Sequence, residues 1–109
     1  MSIVDYLIRL SATDRYRHQH KKAGGEIVYF RVQIETEVQG EWYPVVQYDT
    51  AHGFAHRDLL DMRGHIQKTP LFHMTYNEAL TFAEQDLKSN WKHYKRQFLQ
   101  TAPGDTDDE

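Results

Sequence analysis

The chain has 109 residues, with 16 acidic and 13 basic residues and no cysteine. This length predicts one domain with a modest core, and the lack of cysteine excludes disulfides, zinc–thiolate centres and thiol nucleophiles. No stretch approaches the roughly 20 apolar residues of a membrane span. No basic N-terminal segment leads into a long apolar run, so we expect no signal peptide and no membrane contact.

Acidic residues are concentrated at the C-terminus. Residues 105–109 carry four acids, and removing them changes the formal net charge from −3 to +1. Runs of this kind are usually solvated. We therefore expect a single domain over residues 1–102 and a disordered acidic tail over residues 103–109.

The first 25 residues give a weak pattern. Residues 3–10 fit both a strand and a helical stripe, and we favour a short helix. Residues 11–25 are polar and basic and end in the turn signal Ala23-Gly24-Gly25. Within them, residues 15–22 hold four fixed positive charges and two histidines. This segment is either a solvated connector or a phosphate-binding stretch in which Arg17, Lys21 and Lys22 contact a nucleic-acid backbone.

A clean alternation of apolar and polar residues follows over 28–38 and again over 42–48, with a turn at Gln39-Gly40-Glu41. This pattern predicts a half-buried hairpin. The expected pairs are Val38 with Trp42, Ile34 with Val46, Val32 with Tyr48 and Arg31 with Asp49. A one-residue slip would mix the apolar and polar faces, so the pattern selects this register. Pro44 lacks an N–H and predicts an edge or a bulge there.

Two further strands are expected at residues 55–60 and 65–71. Thr75 and Glu78 then form a capping box that predicts the start of a helix. An apolar stripe continues this helix to about Gln100; its members are Leu80, Ala83, Leu87, Trp91, Tyr94 and Phe98. The predicted fold class is therefore α+β, an antiparallel β-meander of about four strands packed against one long C-terminal amphipathic helix.

Chemically capable side chains cluster in residues 48–58. The candidate catalytic residues are Asp49, His52, His56, Arg57 and Asp58. Paired histidines suit metal-independent cleavage of RNA, since one can act as base and the other as acid near neutral pH. We assign His52 as the base and His56 as the acid, with Arg57 or Arg31 stabilising the transition state.

Other interpretations of the same segment remain open. Two imidazoles and a carboxylate could bind a metal, or Asp49 could pair with Arg31 and the cluster could simply hold a loop in place. On a strand, His56 and Asp58 point to one side and Arg57 to the other unless a bulge intervenes. We expect no metal and no cofactor.

The run Val46-Gln47-Tyr48-Asp49-Thr50-Ala51-His52 resembles the signature of TumE-type toxins of prokaryotic toxin–antitoxin pairs. A sister group of small prokaryotic proteins carries the same Tyr-Asp-Thr-Ala-His-Gly run. The resemblance covers about ten residues strongly and points to Tyr48, Asp49 and His52. Those toxins usually have Asn where Thr50 stands, and a proline before paired histidines where His52-Gly53 stands.

The resemblance implies a toxin-like, cytoplasmic protein that inhibits growth by acting on RNA or another translation component. It also implies a cognate antitoxin protein that neutralises this activity. Tyr48, Arg31, Arg17, Lys21 and Lys22 are the expected substrate-binding residues. The alternative is a non-enzymatic binding or adaptor protein, antitoxin-like or otherwise. A homo-oligomer is compatible with either function.

Overall fold

Six strands and one long helix make up the computed structural model, which describes residues 1–101. The elements are β1 (Ser2–Arg9), β2 (Asp14–Ala23), β3 (Glu26–Val38), β4 (Glu41–Asp49), a one-turn 3-10 helix (Ala51–Gly53), β5 (His56–Leu60), β6 (Ile66–Pro70) and α1 (Tyr76–Leu99). The strands form one antiparallel sheet in the order of the chain. The predicted α+β meander with a C-terminal helix is confirmed, but the number of strands is six rather than about four. The predicted tail, residues 103–109, lies outside the described residues.

The first two strands correct the prediction for the N-terminal segment. Residues 3–10 are not a helix, because Ser2–Arg9 pairs residue by residue with β2. The basic segment is not a connector either, because its alternate residues Tyr16 and His18 are almost fully buried. These buried positions of β2 are occupied by a phenol and an imidazole rather than by aliphatic side chains. A search for alternating apolar residues therefore does not detect this strand.

The predicted hairpin register is confirmed along most of β3 and β4. Ile34 faces Val46, Val32 faces Tyr48 and Arg31 faces Asp49. Nearer the turn the register shifts by one residue at Ile34/Glu35, so Val38 faces Glu41 instead of Trp42. Pro44 lies at this bulge, on a part of β4 that β5 does not reach. Both expectations for a strand proline therefore hold at this position.

Helix α1 covers one face of the sheet. The Thr75 hydroxyl accepts the Glu78 N–H, and the Glu78 carboxylate accepts the Thr75 N–H, which confirms the capping box. The buried stripe of α1 packs mainly against β3 and β4. The core residues there include Phe30, Val32, Ile34, Val46, Tyr48, Ala83 and Leu87. No helix within residues 1–101 has the length and apolar character needed to cross a membrane.

We call the sheet face opposite α1 the open face. Since successive residues of a strand point to opposite sides, Arg31, Gln33 and Glu35 lie on the open face between the core residues of β3. Directly paired residues share a face. The open face therefore carries a polar surface that continues across β2, β4, β5 and β6.

Candidate functional site

Strand pairing brings three of the predicted site residues together on the open face. Asp49 on β4 pairs with His56 on β5, and Asp58 lies two residues further along β5 on the same side. We call Asp49, His56 and Asp58 the acid–imidazole cluster. The cluster exists because the loop between β4 and β5 returns the chain in the one register that places His56 beside Asp49.

One nitrogen of the His56 ring lies close to both carboxylates of the cluster. His56 Nε2 lies 2.9 Å from Asp49 Oδ1 and 3.6 Å from Asp58 Oδ2. The Lys68 ammonium, on β6, lies 2.9 Å from Asp58 Oδ1. The three cluster side chains are almost fully buried, with His56 only 1% exposed. Buried charges need such partners, since an unpaired carboxylate away from water is costly.

Asp49 also organises the turn that follows it. Its Oδ1 accepts the Ala51 N–H at 3.0 Å, a local bond that favours a turn two residues on. Its Oδ2 accepts from the Gln47 amide at 2.5 Å, and Arg31 Nε lies 3.9 Å away. A single carboxylate thus connects His56 to the Ala51–Gly53 turn.

This turn presents His52 to solvent. His52 has a φ of 71°, in the left-handed region that non-glycine residues seldom adopt, and its side chain is exposed. Its ring centroid lies 6.2 Å from that of His56. The two predicted histidines are therefore neighbours, one accessible and the other buried. The Phe54 ring, 5.5 Å from the His56 ring, helps to cover the buried imidazole.

Both ring nitrogens of His56 lie near oxygen atoms that can accept a hydrogen bond. Nε2 faces a carboxylate, and Nδ1 lies 3.3 Å from the Phe54 carbonyl oxygen. Both neighbours are acceptors, so donating to both at once would require a proton on each nitrogen, which is the imidazolium form. In that form the ring would offset part of the charge of Asp49 and Asp58. His56 must give up the longer bond, to Phe54, before it can donate a proton to another molecule.

Arg57 and Tyr48 lie on the other side of the sheet. Arg57 Nη1 lies 3.4 Å from the Tyr94 hydroxyl of α1, as expected if no bulge intervenes in β5. The Tyr48 and Tyr94 hydroxyls both donate to Asp86, at 2.7 and 2.6 Å. Burial, together with the bond to Asp86, raises the pKa of the Tyr48 phenol. The structure therefore does not bring Arg57 or Tyr48 to the acid–imidazole cluster, and Arg57 is not placed to stabilise a transition state there.

The predicted cationic side chains differ in their exposure and in the contacts that they already make. Arg31 lies on the open face beside Asp49 with nearly half of its side chain exposed. Arg17 is bound to Glu35 at 2.9 Å, Lys21 lies 5.3 Å from the centre of the Tyr29 ring, and Lys22 is exposed on β2. Arg31 is thus the predicted cation nearest to the cluster.

Glu35 forms a second polar centre that the sequence analysis missed. Burial tends to raise the pKa of Glu35, but hydrogen bonds from Arg17, Arg15 and Gln33 outweigh burial, so the pKa of Glu35 lies below its usual value. Arg15 Nε lies 2.5 Å from Glu35, and its guanidinium also stacks 3.8 Å from the Trp42 ring centre. Glu35 occupies an outward position of the alternating β3 pattern, a signal that could have found it.

The acid–imidazole cluster could also hold a divalent cation. Asp49, His56 and Asp58 each offer one ligand atom, and these atoms lie within 4.8 Å of one another. An imidazole and two carboxylates suit several divalent metals. His52 does not join this group, so the ligand set differs from the two imidazoles and one carboxylate considered from the sequence. A bound cation would replace the close contact between His56 Nε2 and Asp49 Oδ1.

The chain belongs to a family described as a domain of unknown function, DUF7718, whose sequence model matches residues 1–103. The family therefore spans the whole sheet and helix, including the acid–imidazole cluster. Neither a curated protein nor a solved structure gives a significant match to the chain.

Proposed function

We propose that the chain is a toxin-like protein that cleaves RNA at the open face, around His52 and the acid–imidazole cluster. The observation that carries the proposal is the pair of imidazole rings 6.2 Å apart, one exposed and the other held by two carboxylates. The resemblance of residues 46–52 to TumE-type toxins supports the same function and adds a cognate antitoxin protein as partner.

The proposed chemistry transfers one proton at each imidazole. His52 removes the proton of a ribose 2′-OH, and the 2′-oxygen attacks the adjacent phosphorus. The bond from phosphorus to the 5′-oxygen breaks, and the His56 imidazolium gives its Nδ1 proton to that oxygen after leaving the Phe54 carbonyl. The products are a 2′,3′-cyclic phosphate and a 5′-hydroxyl, with no metal required.

Two cations flank this site on the open face. Arg31 and Lys68 have side chains 46% and 40% exposed, so both can contact phosphate oxygens. A guanidinium near the phosphorane would stabilise the negative charge that develops there. Arg31 therefore takes the role that the sequence analysis shared between Arg31 and Arg57.

The test measures growth and RNA cleavage with matched histidine variants. We expect the parent chain, expressed alone in bacteria, to arrest growth, and the purified chain to cleave single-stranded RNA in the presence of a chelator. His52→Ala should lose both activities and remain folded. His73→Ala is the matched control, because His73 is an exposed histidine outside the site, and it should behave as the parent. Full activity of His52→Ala would refute the proposal.

A metal-dependent version of the same reaction makes a different prediction. Because Asp49, His56 and Asp58 converge closely, cleavage that a chelator abolishes and a divalent cation restores would assign the cluster to metal binding. In that case the variant Asp58→Asn should lose activity together with the stoichiometric metal.

A non-enzymatic binding or adaptor function is the second candidate. The observation that favours it is the burial of the cluster, whose carboxylates already have partners. Harmless expression of the chain, with no cleavage of RNA in the presence or absence of metals, would favour this function over the toxin. The exposed His52 and Arg31 would then belong to a binding surface.

A further inference from the structure

The outer edge of β1 lacks most of the features that usually block strand pairing. Within residues 1–101 no strand pairs with this edge, and β1 runs for eight residues in continuous register with β2. It contains no proline, lysine or bulge, which are common protections of sheet edges. The opposite edge, β6, is only five residues long, contains Lys68 and ends at Pro70. The two edges of one sheet are therefore built differently.

Apolar side chains of β1 are exposed on both faces of the sheet. Ile3 and Leu7 lie on the open face, 67% and 49% exposed, and Tyr6 and Ile8 lie on the helix side, also exposed. Helix α1 packs mainly on β3 and β4 and leaves this end of the sheet uncovered. A long apolar edge of this kind is a template for another strand.

We propose that β1 pairs antiparallel with β1 of a second copy of the chain, around a two-fold axis at Leu7. The backbone selects the residues available for this pairing. The Leu10 N–H bonds to the Asp14 carbonyl of β2, so even-numbered residues of β1 direct their N–H and C=O groups towards β2. The backbone N–H and C=O groups of Asp5, Leu7 and Arg9 therefore point away from β2, towards the second copy.

Charge selects the register. With Leu7 facing Leu7 of the second copy, Asp5 faces the second copy's Arg9, and this pair occurs twice. A two-fold axis at Asp5 or at Arg9 would instead place identical charges opposite each other, which is destabilising. On the helix side the Leu7-centred register pairs Tyr6 with Ile8, an aromatic and a β-branched residue, which is a favourable cross-strand pair.

The pairing would join two six-stranded sheets into one continuous sheet. Because the two-fold axis runs perpendicular to the sheet, the open faces of both copies lie on the same side. The inference does not depend on RNA cleavage, and its failure would leave the proposed function unaffected.

Sedimentation of the purified parent chain gives a test that needs no variant. We expect a dimer at about 100 μM, and a monomer at that concentration would overturn the proposal. The variant Asp5→Arg places like charges opposite each other twice and should weaken the dimer by about tenfold or more. The double variant Asp5→Arg/Arg9→Asp restores opposite charges and should recover most of the affinity. Equal dissociation constants for the parent and Asp5→Arg would rule out this register.

Single-cysteine variants locate the axis, since the chain has no cysteine of its own. Paired residues at the axis lie roughly 5.5 Å apart between Cα atoms, so Leu7→Cys should be joined efficiently by a short thiol cross-linker. Ile3→Cys is the matched control on the same strand and face. In the proposed register its two copies are eight positions apart, roughly 27 Å along the strands, and should not be joined. Efficient cross-linking of Ile3→Cys but not of Leu7→Cys would contradict the proposed axis.

Discussion

Replacing Asp49 by asparagine removes the charge on which the acid–imidazole cluster depends. The amide keeps an oxygen for the Ala51 N–H, which the carboxylate binds at 3.0 Å, and Gln47 can turn its own amide to accept from the new NH₂ group. The substitution removes the negative charge of the carboxylate whose Oδ1 lies 2.9 Å from His56 Nε2. Removing one member of a buried pair costs about 3–5 kcal/mol. Because Asp58 still faces the imidazole, we expect a smaller loss for Asp49→Asn, about 2 kcal/mol.

Urea denaturation measures this loss directly. With a slope of about 1–3 kcal/mol per molar urea for small proteins, a loss of about 2 kcal/mol moves the midpoint by roughly 1 M. Glu41→Gln is the matched control, since Glu41 is an exposed carboxylate on the same strand and should change stability by less than about 0.5 kcal/mol. If Asp49→Asn were as stable as the parent, the carboxylate would not hold a buried cation, and the imidazolium form that the proposed chemistry needs would be ruled out.

Three further predictions concern the scaffold. Thr75→Ala should cost about 1 kcal/mol by removing the N-cap of α1, whereas the exposed Ser89→Ala should be nearly neutral in the same urea titration. Asp86→Asn should cost about 1–3 kcal/mol, since two buried phenols lose a charged acceptor. Burial, helped by nearby positive charge, lowers the pKa of His18 from 6.5 to about 4, so the unfolded chain binds this proton first as the pH falls. Stability should therefore decline between about pH 6.5 and 4, and His18→Gln should flatten that part of the stability curve against pH.

The hairpin of β3 and β4 shows what a sequence pattern can predict. Alternation on both strands leaves one register that separates apolar from polar residues, and that register correctly places Arg31 opposite Asp49. The bulge in β4, where Val45 has no partner between Pro44 and Val46, is predicted only in part. Pro44 signals an irregularity, but not that the shift moves the pairing at the turn to Val38 and Glu41. A missing N–H marks where the pairing becomes irregular and does not say which residue of β4 is left without a partner.

Strand β1 escapes prediction because it extends the sheet beyond the helix. A strand with solvent on both sides has no need for apolar residues on one face only, so β1 carries Ile3 and Leu7 on one side and Tyr6 and Ile8 on the other. Such a strand gives both helical and extended periodicities. Its identity depends on pairing with β2, which a local pattern cannot show.

The sequence predicts which residues belong to the candidate site better than it predicts how those residues are arranged. The alternation of β5 correctly separates Arg57 from His56 and Asp58. The pairing of His56 with Asp49 depends on how the six residues between them close the loop, and the left-handed backbone at His52 is part of that closure. The unequal exposure of the two histidines is therefore a tertiary result, and it distinguishes two side chains that the sequence pattern leaves equivalent.

The polar side chains of the open face are difficult to explain by stability alone. Buried ion pairs recover little more than their desolvation cost, and well-packed apolar residues of similar size are often as stabilising. The chain nevertheless places Glu35, Asp49 and Asp58 at buried positions and surrounds them with cations, on the sheet face that no helix within residues 1–101 covers. An apolar layer with a second helix would be the usual way to cover such a face. Retaining charge there leaves a surface that water and an anionic ligand can approach, which is the physical reason to test the proposed activity at His52 and its buried neighbours.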